Sequence, residues 1–165
     1  MMEKYYTPSV EEFHVGFEFE CLLGSYIDFD KAKKSNEWGK YRFGCDMLPV
    51  FDTEGWYYNL AYCIMEQKSV RVKYLDAEDL EKEGWVKEFV PNIFKEDDDI
   101  EEGFSLHVDK NTCYNLHRYS DHEISIYKQV VYNEHSGNWS ASPLFKGTIK
   151  NISEFRRLIK QLNIA

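Results

Sequence analysis

Asn151-Ile152-Ser153-Glu154-Phe155-Arg156-Arg157-Leu158-Ile159-Lys160-Gln161-Leu162 carries the clearest periodicity in the chain. Phe155, Leu158, Ile159 and Leu162 fall at i, i+3, i+4 and i+7, which predicts a helix with one apolar stripe about 100° wide. That stripe needs a surface to pack on. Asn151, with Glu154 three residues later, has capping-box spacing, and Ser153 is an alternative N-cap. Arg156, Arg157, Lys160 and Gln161 fill the outward positions. They form either a solvated cationic face or a docking surface for an anionic partner.

The surface lies immediately upstream. Phe104, Leu106 and Val108 alternate with Ser105 and His107, Tyr114 and Leu116 with Asn115 and His117, and Ile124 and Ile126 with Ser125 and Tyr127. Period two predicts strands of a sheet with one covered face. Residues 109–112, 120–122 and 133–138 supply turn chemistry, and a fourth strand, Leu144 to Ile149, feeds the helix. The predicted fold class is α+β, a mostly antiparallel sheet whose C-terminal four-strand meander packs on the terminal helix, with one or two further helices.

At 165 residues the chain reads as one domain, large enough for a core without disulfides or a structural metal. Against 20 Lys and Arg stand 29 Asp and Glu, so the net charge is −9. That charge argues against a general nucleic-acid or membrane-surface binder, whose targets are anionic, although it leaves room for a local basic patch. The 12 Tyr and 4 Trp suit a β-rich domain or a recognition surface. Four scattered cysteines and an N-terminus without a basic-then-apolar leader read as free thiols of a cytoplasmic protein. Leu60 to Met65 is too short an apolar run to cross a bilayer.

Toward the N-terminus, residues 13–21 alternate as a strand, with Phe13, Val15, Phe17, Phe19 and Cys21 on one face and His14, Gly16, Glu18 and Glu20 on the other. Residues 24–38 read as a loop or a short helix, and Tyr41–Phe43 and Pro49–Phe51 as short strands. Residues 57–67 have helical spacing with a strand as the alternative. Residues 69–90 form a strand-helix-strand unit in which Asp76 is the N-cap and Gly84 the stop. The acidic run 95–103 is an exposed loop, since it lacks the spaced oxygens and turn glycine of a calcium loop. The meander and its helix take 104–163.

Three constellations bear on chemistry. Glu18 and Glu20 share a strand face and can hold a hard divalent cation. Gly16-Phe17-Glu18-Phe19-Glu20 resembles the first-strand Gly-x-Glu-x-Glu of carboxylate-amine ligases of the glutamine-synthetase type. That resemblance implies ATP, Mg²⁺ and phosphate-binding arginines, although the chain is short for the fold and has no matching arginine motif. His107, Cys113, His117 and His122 form the second constellation, with a zinc site conceivable across a hairpin but no zinc-signature spacing. The third pairs Arg156 and Arg157 with meander tyrosines, Tyr114 and Tyr127, as candidates for stacking and charge recognition of an anionic ligand.

Val70 to Leu80 with Gly84-Trp85, and Leu144 to Phe155 running to Leu162, together with Tyr6-Thr7-Pro8 and the Gly-Phe-Glu-Phe-Glu strand, resemble small phage- and prophage-encoded proteins of Bacteroides-type bacteria. The resemblance implies a genomic setting and no activity. The expected function is therefore a non-catalytic interaction protein, with no cofactor, that sequesters or inhibits a host protein or a small anionic, nucleotide-like ligand, as in counter-defence. The alternatives are the Mg²⁺-dependent ligase using Glu18 and Glu20, and a phage structural or assembly component, which predicts a homo-oligomer.

Overall fold

Alternating sequences pair into two antiparallel sheets in the computed structural model, which describes residues 4–22, 33–43, 69–90, 100–119, 122–133 and 138–164. The chain is α+β and groups into two compact units, Met1–Tyr74 and Leu75–Ala165. The strand and helix predicted over 49–51 and 57–67 lie outside the described residues. So do 24–32 of the predicted loop, where residues 33–35 are helical and Trp38 already belongs to a strand.

In the N-terminal unit, β1 (Tyr5–Tyr6), β2 (Glu18–Leu22), β3 (Trp38–Arg42) and β4 (Val70–Lys73) form a sheet in the order β1-β4-β2-β3. The strand predicted over 13–21 begins only at Glu18. Val10–Glu12 is a 3-10 turn, Gly16 has φ +88°, and Val15 is 73% exposed. A left-handed glycine breaks the extended run, so the apparent alternation from Phe13 to Val15 belongs to a turn. Phe13 still packs on the core of Phe17, Phe19, Phe43, Val70 and Val72.

The C-terminal unit holds α1 (Ala77–Lys82), then β5 (Val86–Lys87), β6 (Ile100–His107), β7 (Thr112–Tyr119), β8 (Glu123–Asn133) and β9 (Asn138–Thr148) in sequential order, then α2 (Ile152–Gln161). Asp76 caps α1 through the Asp79 amide (3.1 Å), and Gly84 at φ +88° ends it. Of the two available caps on α2 the structure uses Asn151, whose Oδ1 accepts from the Glu154 amide at 3.0 Å, while Glu154 Oε2 accepts from the Lys150 amide at 2.7 Å. The apolar stripe of α2 meets Leu80, Trp85, Phe104, Leu116, Ile124 and Ile126. The strand expected after Trp85 is only two residues long.

Three further expectations change. The last meander strand, predicted from Leu144, already begins at Asn138 and pairs with β8 from there to Thr148. The meander was predicted to cover one face, yet Ser105, Asn115, His117, Ser125 and Tyr127 on the second face are buried as well. Burial there is supported by polar pairing. Tyr119 Oη and Ser125 Oγ are 3.2 Å apart, Asn115 Nδ2 donates to Gln129 Oε1 at 2.9 Å, and His117 Nε2 donates to the Val90 carbonyl at 3.2 Å. The acidic loop was predicted over 95–103; residues 95–99 lie outside the described residues, and β6 already starts at Ile100. Glu102 explains why an acidic residue tolerates the sheet: its Oε2 accepts from Arg118 Nη2 at 2.6 Å and Nε at 3.0 Å, and Lys87 holds its other oxygen.

Glu102 gives a pH prediction. Burial raises its pKa, but the hydrogen bonds and charges of Lys87 and Arg118 outweigh that and hold it below the ordinary 4.5. A carboxylate depressed in the folded state adds stability that is complete above the unfolded value near 4.5 and is lost as pH falls through the folded value. Urea midpoints measured between pH 7 and pH 3 should fall less steeply in Glu102→Gln than in the parent. Identical slopes in the two proteins would refute the assignment.

Candidate ligand-binding face

β-pairing separates the N-terminal sheet into unlike faces. Tyr6, Phe19, Cys21, Tyr41, Val70 and Val72 point to the core, so Tyr5, Glu18, Glu20, Trp38, Lys40, Arg42, Arg71 and Lys73 share the other face. Cross-strand rows bring their charges together. Glu20 lies opposite both Lys40 and Arg71, and Glu18 lies opposite Arg42. Among the described residues, four cations against two carboxylates give this face a positive balance on an acidic chain.

Arg71 is its centre. The guanidinium carbon lies 3.9 Å from the ring centroid of Tyr5 and 3.9 Å from that of Trp38, so a planar cation is held between two rings. Its Nε and Nη2 both reach Glu20 Oε2 at 2.8 Å. The Trp38 indole Nε1 donates to Asn36 Oδ1 at 2.9 Å, which fixes the ring's azimuth, and Lys4 Nζ lies 5.9 Å from the Tyr5 ring. Lys40 and Arg42 are exposed, and Trp38 and Tyr5 are half-buried. The arrangement offers aromatic surface beside fixed positive charge, the chemistry that recognises a flat anionic molecule.

The residues singled out by sequence are distributed differently. Glu18 and Glu20 do share one face, but Arg71 engages Glu20, and a divalent cation there would have to displace it. Among the described residues no group of three His, Cys, Asp or Glu can hold a metal. His107 pairs with Cys113 across β6 and β7, whereas His117 lies opposite Gly103, four residues along β6 and about 13 Å away along the strand. His107 Nε2 instead lies 3.5 Å from Glu88 Oε1. Burial pushes the Cys113 thiol and the Tyr127 phenol up, so both stay neutral at neutral pH and the thiol is a poor nucleophile.

Tyr114 and Tyr127 lie on opposite faces of the C-terminal sheet, since Tyr114 pairs with Lys128 and Asn115 with Tyr127. Tyr114 packs against the helix-side core, and Tyr127 is fully buried. Arg157 is exposed on α2. Arg156 Nη2 lies 2.8 Å from Glu83 Oε1 at the rim of an open groove of about 550 Å³ floored by Trp85, Leu106, Phe155 and Ile159. These four residues therefore do not converge. The Tyr5–Arg71–Trp38 stack was missed because its members come from three separate strands. The alternations Val70-Arg71-Val72-Lys73 and Trp38-Gly39-Lys40-Tyr41-Arg42, each with its cations on one face, were the available signal.

Among the described residues no helix is long and apolar enough to cross a membrane. No protein-family model matches the chain, and neither does any curated protein or solved structure.

Proposed function

We propose that this chain is a non-catalytic binding protein that takes a small anionic, nucleotide-like ligand on the outward face of its N-terminal sheet. The observation that carries the reading is the Tyr5–Arg71–Trp38 stack flanked by Lys40, Arg42 and Lys73 on a chain of net charge −9. A positive balance on this face of an otherwise acidic chain attracts small anions. Aromatic rings beside that charge add affinity for a flat base. Sequestration of such a ligand, as in counter-defence, suits the phage setting that the sequence resemblance implies.

Native mass spectrometry of the chain purified from its natural host type should show an added mass of a few hundred daltons. Calorimetry with nucleoside mono-, di- and triphosphates and cyclic dinucleotides should find a binder, and Lys40→Glu with Arg42→Glu should weaken it about a hundredfold. If the folded protein binds no member of that panel, the reading fails.

A further inference from the structure

Resting on that reading, we propose that the ligand is a nucleoside polyphosphate laid along β3, its base on Trp38 and its phosphates on Lys40 and then Arg42. Trp38, Lys40 and Arg42 are alternate residues of one strand, so they project to one face at steps of about 7 Å. Among the described residues β3 is also the outer strand of its sheet. A ribose spans a comparable step between a base and its first phosphate, and each added phosphate carries charge further from the ring, toward Arg42.

Arg71 has a different task. Two of its N–H groups are taken by Glu20 and both guanidinium faces by Tyr5 and Trp38, so its charge is largely answered within the protein. It is a positioning residue. It holds one face of the indole and leaves the half-buried ring in a fixed plane for the base, while the exposed Lys40 and Arg42 meet the phosphates.

The full chain is titrated by calorimetry with adenine and guanine nucleoside mono-, di- and triphosphates and with cyclic dinucleotides, with inorganic triphosphate as the ring-free probe, and each variant is checked for fold by circular dichroism. Affinity should rise from mono- to triphosphate. Arg42→Ala should cost about tenfold for triphosphate and nothing for monophosphate. Trp38→Leu should weaken the nucleotides and leave inorganic triphosphate unchanged. Arg71→Lys, which keeps the charge and loses the plane, should follow Trp38→Leu, whereas a merely structural role would lower both probes together. Tight binding of a cyclic dinucleotide with no gain from mono- to triphosphate overturns this inference and leaves the binding function standing. Absence of binding across the whole panel overturns both.

Discussion

Phe155→Ala should destabilise the C-terminal unit by about 3–5 kcal/mol, the usual cost of emptying a core aromatic site. Phe155 is 1% exposed, and its ring sits edge-on to Trp85 with centroids 6.0 Å apart. It belongs to the cluster that joins α2 to Leu80, Phe104, Leu116 and Ile126, so its removal opens a void between helix and sheet. Backbone on both sides of the void is fixed by capped helices and a five-stranded ladder, which limits collapse into the space. Urea unfolding followed by hydrogen exchange at β7 and β8 amides measures the effect. A loss below about 1 kcal/mol would mean that the α2 stripe is not the unit's main apolar contact. Arg156→Ala on the same helix is the control: its partly exposed pair with Glu83 should be worth less than about 1 kcal/mol.

Arg71→Ala should cost the N-terminal unit about 2–3 kcal/mol, below the full penalty for splitting a buried ion pair because Arg71 is 27% and Glu20 13% exposed. Three losses combine: Glu20 keeps a mostly buried charge without its guanidinium, and Tyr5 and Trp38 each lose a stacking partner. Since Tyr5 is on β1, Arg71 on β4, Glu20 on β2 and Trp38 on β3, one side chain links all four strands. Glu20→Gln should cost less, because the amide oxygen can still accept from Nε. Denaturant titration with exchange at β2 and β4 amides separates the variants, and equal losses for Arg71→Ala and Glu20→Gln would show that the rings contribute nothing.

Local patterns were the legible part of this fold. The helix at 152–161, the Asp76 cap, the Gly84 stop and the centres of the meander strands follow from periodicity or capping chemistry within a dozen residues, whereas the first half of β9, Asn138 to Pro143, lacks a clear alternation of large apolar residues. Alternation could not reveal that the polar residues Ser105, Asn115, His117 and Ser125 are buried too, because a pattern of polarity equates polar with solvated. Nor could it reveal the binding face. Arg71 meets Glu20, 51 positions earlier, only because β4 inserts between β1 and β2, and strand order is a tertiary fact. Glu102 was placed in a loop because its charge suggested solvent, while its partners Lys87 and Arg118 lie 15 and 16 residues away.

The two unlike buried faces of the C-terminal sheet bear on how the chain avoids misfolding. In a sheet with one wet face, a one-residue slip is opposed by exposing apolar side chains to water. Around the centre of β6, β7 and β8 both faces are buried, so there water cannot choose between alignments. A slip of β8 would instead carry Ser125 and the Tyr127 phenol beneath the helices and turn Ile124 and Ile126 toward Asn115 and His117. The Tyr119–Ser125 and Asn115–Gln129 pairs of the second face would then be lost together. Chemical complementarity between buried surfaces thus acts as the proofreading device of this sheet, and it operates in the dry interior.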